Sequence, residues 1–103
     1  MKGLAGKISE KTEVLKQISS IREELSERFT VKRIGIFGSF ARGEEKAESD
    51  IDIIVELDEQ TFDHYMELKF RLEEVLQRQV DLVIADTVKP RLKPIIEREV
   101  IYA

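Results

Sequence analysis

The run DIDIIVEL at residues 50–57 alternates carboxylates with branched apolar residues, and that alternation limits what the chain can build. Side chains two apart on an extended strand share a face. Ile51, Ile53 and Val55 therefore make a core face, while Asp50 and Asp52 project together on the other. Acidic residues are depleted in strands, and two carboxylates held side by side repel unless a proton or a cation sits between them. Such a strand needs apolar cover on one side and a positive or proton-donating group on the other.

The flanking sequence supplies the cover. Val14, Leu15, Ile18, Ile21, Leu25 and Phe29 recur at three- and four-residue steps, predicting one amphipathic helix over 9–29 with Ser9 as its N-cap. VKRIGIF (31–37) reads as a strand that ends at Gly38-Ser39, and FARGE as one helical turn. A second long helix is expected from Thr61 to Arg78, with Phe62, Tyr65, Met66, Leu68, Leu72, Val75 and Leu76 as its buried stripe. QVDLVIA (79–85) is a third strand; Pro94 opens a short helix to Glu97, and VIYA adds a last extended piece. This order predicts an α/β (α+β) fold, a small mixed β-sheet flanked by helices. At 103 residues the expectation is a single domain over 1–103.

Composition narrows the function classes. Without cysteine there is no disulfide framework and no thiolate metal site. A net charge of -4 gives no global basic field, so nucleic acid is not the expected partner. No apolar run is long enough to span a membrane, and the opening MKGLAGKISEK lacks the apolar stretch of a secretory signal, so the expected location is the cytoplasm.

The polar residues then converge on one chemistry. In VDLVI, Asp81 is out of phase with Val80, Leu82 and Ile84 and so leaves the core side of the third strand. If that strand lies beside the second, Asp50, Asp52 and Asp81 form one cluster of oxygen ligands, a set that suits magnesium. Two ions about 3.5–4 Å apart would fit, clamping the attacking and leaving oxygens of a phosphoryl centre. Gly38 lets backbone amides approach a ligand, Ser39 adds a hydroxyl at the start of a helical turn, and Arg42 carries a fork suited to phosphate. A phosphate cradle beside a metal cluster implies a metal–nucleotide site.

Taken together, GSFARGEEKAESDID followed by VDLV resembles the minimal nucleotidyltransferases of the DNA polymerase β superfamily. Their signature is Gly-Ser, a ten-residue gap, Asp-x-Asp on the next strand and a third Asp on a later one; here the gap runs from Phe40 to Ser49. The resemblance covers about residues 31–85 and implies the polymerase-β-like fold. It implies that Asp50, Asp52 and Asp81 hold magnesium, that Asp81 takes the proton of the attacking hydroxyl, and that Gly38 and Ser39 hold the triphosphate of ATP. For Arg42 two roles stay open, a phosphate contact or a brace of the turn. Short stand-alone members act as antitoxins beside a HEPN-domain ribonuclease toxin, moving AMP from ATP onto a toxin tyrosine, and the same is implied here.

Two other functions compete: a contact-only antitoxin with a vestigial nucleotide site, and a nucleotidyltransferase acting on a small aminoglycoside-like hydroxyl compound. His64 reads as a solvated residue, and Tyr65 and Tyr102 as packing or partner-contact residues. REELSER and RLEEVLQRQ read as solvated helix faces with intrahelical ion pairs.

Overall fold

The structure, a computed structural model, describes residues 10–43 and 50–103. Ser9 and residues 44–49 of the ten-residue gap lie outside the described residues. The elements run α1 (Glu10–Ser20), α2 (Arg22–Phe29), β1 (Val31–Phe37), α3 (Gly38–Ala41), β2 (Ile51–Leu57), α4 (Phe62–Leu76), β3 (Val80–Ile84), a 3-10 turn (Ala85–Thr87), α5 (Lys93–Glu99) and β4 (Ile101–Tyr102). The strands form one sheet in the order β3-β2-β1-β4. β1 is antiparallel to both β2 and β4, whereas β2 and β3 are parallel. The mixed sheet expected from the sequence is present.

Ile34, Ile36, Ile51, Ile53, Val55 and Leu82 bury one face of this sheet against Val14 and Ile18 of α1, Leu25 and Phe29 of α2, and Leu68 and Leu72 of α4. Each such side chain withdrawn from water contributes roughly 1.5–3 kcal/mol. Because side chains alternate along a strand, the burial of Ile51 and Ile53 sends Asp52 and Ile54 to the opposite face. That second face holds the polar residues, and α5 lies over part of it.

Three sequence expectations need correction. The single helix over 9–29 is two, parted at Ile21, whose backbone (φ −114, ψ 12) leaves the helical region. Ser20 Oγ donates to Gln17 O at 2.7 Å, the kind of serine back-bond that bends helices. The second long helix stops at Leu76, two residues short, because Gln77 adopts a left-handed conformation (φ 56) that no glycine signals. Phe62 is 75% exposed and not part of the buried stripe; it stands in the first turn, on the shoulder of the face defined by Leu68, Leu72 and Leu76. The charged helix faces do carry intrahelical pairs, Arg28–Glu24 and Arg71–Glu74. Arg71 also bridges α4 to Glu24 of α2, at 2.8 and 3.0 Å.

β3 is an edge strand, and α4 closes it. Ile51 N–H donates to Gln79 O, so in this parallel pair the odd-numbered residues of β3 bond inward and the even-numbered ones face outward. On the outward side Val80 N–H donates to Glu73 Oε2 at 3.0 Å, and Leu82 O accepts from the Tyr65 hydroxyl at 2.7 Å. Ile84 O accepts from Thr87 Oγ1 at 2.8 Å. Among the described residues no helix is long and apolar enough to cross a membrane.

At the other side of the sheet, β4 lies so close to β1 that only glycine fits at position 35. A Cβ there would meet Ile101 O at 2.8 Å and the Tyr102 ring at 2.9 Å. Gly35→Ala should therefore cost about 1–3 kcal/mol, read as a lower midpoint in urea with an unchanged slope. An unaltered midpoint would mean that β4 shifts freely and contributes little to the fold.

Candidate active site

The site forms where β1 ends and β2 and β3 begin. Asp52 pairs with Phe37 across the antiparallel register and with Asp81 across the parallel one. Residues paired in this way point to the same face, about 4.8 Å apart between strands. Asp50 lies one residue ahead of β2, exposed. Burial holds the Asp52 carboxyl above the ordinary Asp range, the negative charges of Asp81 and then Asp50 push it further the same way, and Arg42 opposes them. The three acids predicted from the sequence are thus brought together around Asp52.

The Gly-Ser turn packs directly onto that carboxylate. Gly38 has φ +73, and a Cβ on it would lie 2.4 Å from Asp52 Oδ2, so both its backbone conformation and its neighbour exclude a side chain. Sequence reasoning assigned this glycine to the approach of a ligand; the structure adds that it makes room for Asp52. The α3 turn that follows is fixed from below. Phe40 is fully buried and Ala41 nearly so. The Arg78 guanidinium stands 5.1 Å over the Phe40 ring, and Lys11 Nζ donates to Ala41 O at 3.3 Å. The one signal in the sequence for this anchor is a phenylalanine inside an otherwise small and charged loop. Ser39, half-buried, begins the turn beside Gly38.

Arg42 forms an ion pair with Glu99 at the end of α5, while its charge still reaches Asp52. Glu99 was not singled out in the sequence, where it is one of many acids in a charged tail. The other residues weighed there are accounted for structurally. His64 Nδ1 lies 3.1 Å from Glu59 O, and its N–H donates to the Thr61 cap. Tyr65 packs on the core, and Tyr102 lies under the Arg33 guanidinium at 4.3 Å.

Among the described residues no group of three or more His, Cys, Asp or Glu is placed so that it could hold a metal ion. The donor set nonetheless fits a hard cation. Asp52 and Asp81 are register partners whose charges disfavour each other, and magnesium commonly takes one or two carboxylates with substrate phosphates and water in its other positions.

This arrangement, a mixed sheet with paired aspartates at the strand starts beside a Gly-Ser turn, has counterparts. The family model for the nucleotidyltransferase domain matches residues 18–103. The chain belongs to the nucleotidyltransferase domain family. This nucleotidyltransferase is 42% identical over 93 residues to the protein adenylyltransferase MntA of Thermococcus cleftensis, covering 85% of this chain and 94% of the relative. A solved structure of a "putative minimal nucleotidyltransferase" superposes with a TM-score of 0.75 at 32% identity, covering 92% of this chain and 96% of the other. The same fold recurs, at TM-score 0.64 and 20% identity, in a complex of a tri-AMPylated Shewanella oneidensis HEPN toxin with an MNT antitoxin; 89% of this chain and 70% of that one are covered. The protein is a nucleotidyltransferase of the minimal, MNT type.

The electrostatics give a test that needs no substrate. A carboxyl whose folded pKa is raised favours the native state most below its ordinary pKa, and that stability is lost as pH rises through the raised value. At neutral pH the Asp52 charge therefore opposes folding of this nucleotidyltransferase. Asp52→Asn should raise the melting temperature by a few degrees at pH 7, with the gain shrinking toward pH 3, as followed by circular dichroism. A lower melting temperature at pH 7 would show that the Asp52 charge is already compensated in the free protein.

Proposed function

We propose that the protein transfers AMP from ATP to a hydroxyl, that of a tyrosine on a HEPN-domain toxin, and so acts as the antitoxin of the pair in the cytoplasm. The observation that carries the reading is the register pairing of Asp52 with Asp81 against the glycine turn at 38. The adenylyltransferase name of the Thermococcus relative and the AMPylated toxin bound to the Shewanella antitoxin support the nucleotide and the partner.

Gly38 and Ser39 hold the β- and γ-phosphates, leaving the α-phosphorus over Asp52. Asp50, Asp52 and Asp81 would hold magnesium, two ions in this reading, and the metal would supply positive charge that offsets the phosphates and the acids. Asp81 accepts the proton of the tyrosine hydroxyl as its oxygen bonds to the α-phosphorus. The bond from that phosphorus to the oxygen bridging toward the β-phosphorus breaks, and pyrophosphate leaves. Arg42, restrained by Glu99, supplies positive charge at the phosphate side. A kinase reading is less suitable, because kinases and P-loop enzymes place a lysine on the phosphates and the GSFARG turn has none.

Incubation with the partner and ATP labelled at the α or the γ position tests this. The α label should appear on the partner and the γ label should not; γ incorporation would make the protein a kinase. Asp81→Asn should lower the rate by about 10²–10⁴-fold, the usual contribution of a positioned base. Asp52→Asn should abolish transfer while leaving the fold intact. An Asp52→Asn protein that still silences its partner in cells would show neutralisation by contact alone.

A further inference from the structure

The face of β2 that carries Asp52 continues to Ile54 and Glu56, and over those two residues the sheet is not covered flat. A cavity of about 200 Å³ opens there between α5 and the segment after β3. Its apolar lining comes from three elements: Ile54 of β2, Val88 of the segment after β3 and Ile96 of α5. Ile54 is two residues from Asp52 on the same face, about 6.6 Å along the strand. Drug-sized sites usually run to about 300–1,000 Å³, so this one suits a single flat ring system.

Its rim has a definite character. Glu56, Asp86 and Glu97 contribute carboxylates, and Arg33 and Lys93 contribute cations. Arg33 is already committed: it pairs with Glu56 at 2.6 and 3.0 Å and lies over the Tyr102 ring. With Arg33 and Glu56 neutralising each other, the described rim residues leave the carboxylates of Asp86 and Glu97 against the ammonium of Lys93, a net negative balance that disfavours a polyphosphate. It favours a neutral group that donates hydrogen bonds. The Gly38 turn, at the other end of the same face, has the opposite preference in the proposed reading. A nucleotide laid along β2 would thus be oriented by charge alone.

We infer that this cavity receives the base of the nucleotide, with the ring against Ile54, Val88 and Ile96 and an exocyclic amine directed at the rim carboxylates. The inference rests on the nucleotide reading of the Asp52 site and adds to it the place and chemistry of base recognition. The 6-amino group of adenine donates to a carboxylate; guanine presents a carbonyl oxygen at that position and is disfavoured.

The test compares ATP with inorganic tripolyphosphate, which lacks the base, by calorimetric titration in the presence of magnesium. Ala85→Phe and Ile96→Trp each fill the cavity from a different element, and neither touches the aspartates or the Gly-Ser turn. Both variants should bind ATP at least tenfold more weakly than the wild type while binding tripolyphosphate equally well. The wild type should prefer ATP over GTP by about tenfold, and the variants should lose that preference. Unchanged ATP affinity in both variants overturns the base site, as does an equal loss of ATP and tripolyphosphate; wild-type ATP binding survives either result as support for the nucleotide reading. A wild-type protein that binds neither compound overturns both.

Discussion

The pairing of β2 with β3 is the constraint on which everything else at the site depends. It is enforced by apolar burial: Ile51, Ile53 and Val55 must face the helices together with Val80 and Leu82, and a slip of one residue would expose the whole row. The same register leaves Asp52 opposite Asp81. The hydrophobic effect, acting on one side of the sheet, holds two like charges together on the other. Neither charge needs a favourable interaction of its own to be there, because the core on the reverse face supplies the force.

That division explains the shape of the site. Asp52 is partly withdrawn from water and flanked by acids, a state that disfavours its ionised form. Gly38 removes the side chain that would otherwise collide with it, and the buried Phe40 keeps the turn from moving away. Such a site is stabilised by what it binds. In the proposed reading a cation would satisfy the carboxylates, and a ligand carrying it would gain from a charge arrangement formed during folding rather than on binding.

Much of this was legible in the chain. Period-two alternation placed Asp52 and Asp81 on matching faces of neighbouring strands, and the Gly-Ser spacing placed the turn; the strand expected over 50–57 begins at Ile51, so Asp50 stands just before it. Helix boundaries were less visible where the chain uses left-handed residues other than glycine, at Thr30 and Gln77. The break at Ile21 was hidden because the apolar period continues through it. Glu99 could not be read at all: its relation to Arg42 spans 57 positions and depends on how α5 folds back over the sheet. Local pattern carries strands and turns well, whereas contacts between distant polar side chains are set by tertiary geometry.

The closure of the β3 edge has a consequence for how this protein can meet another. Side chains of α4 and the 3-10 turn occupy the outward-facing Val80 N–H, Leu82 O and Ile84 O, so an incoming strand finds these hydrogen-bonding positions taken. Addition of a strand there would pull on the segment that carries Asp81. A strand from another protein is therefore discouraged at the β3 margin; in the proposed reading, an acceptor side chain would enter from the open face while the β2-β3 ladder stays as it is.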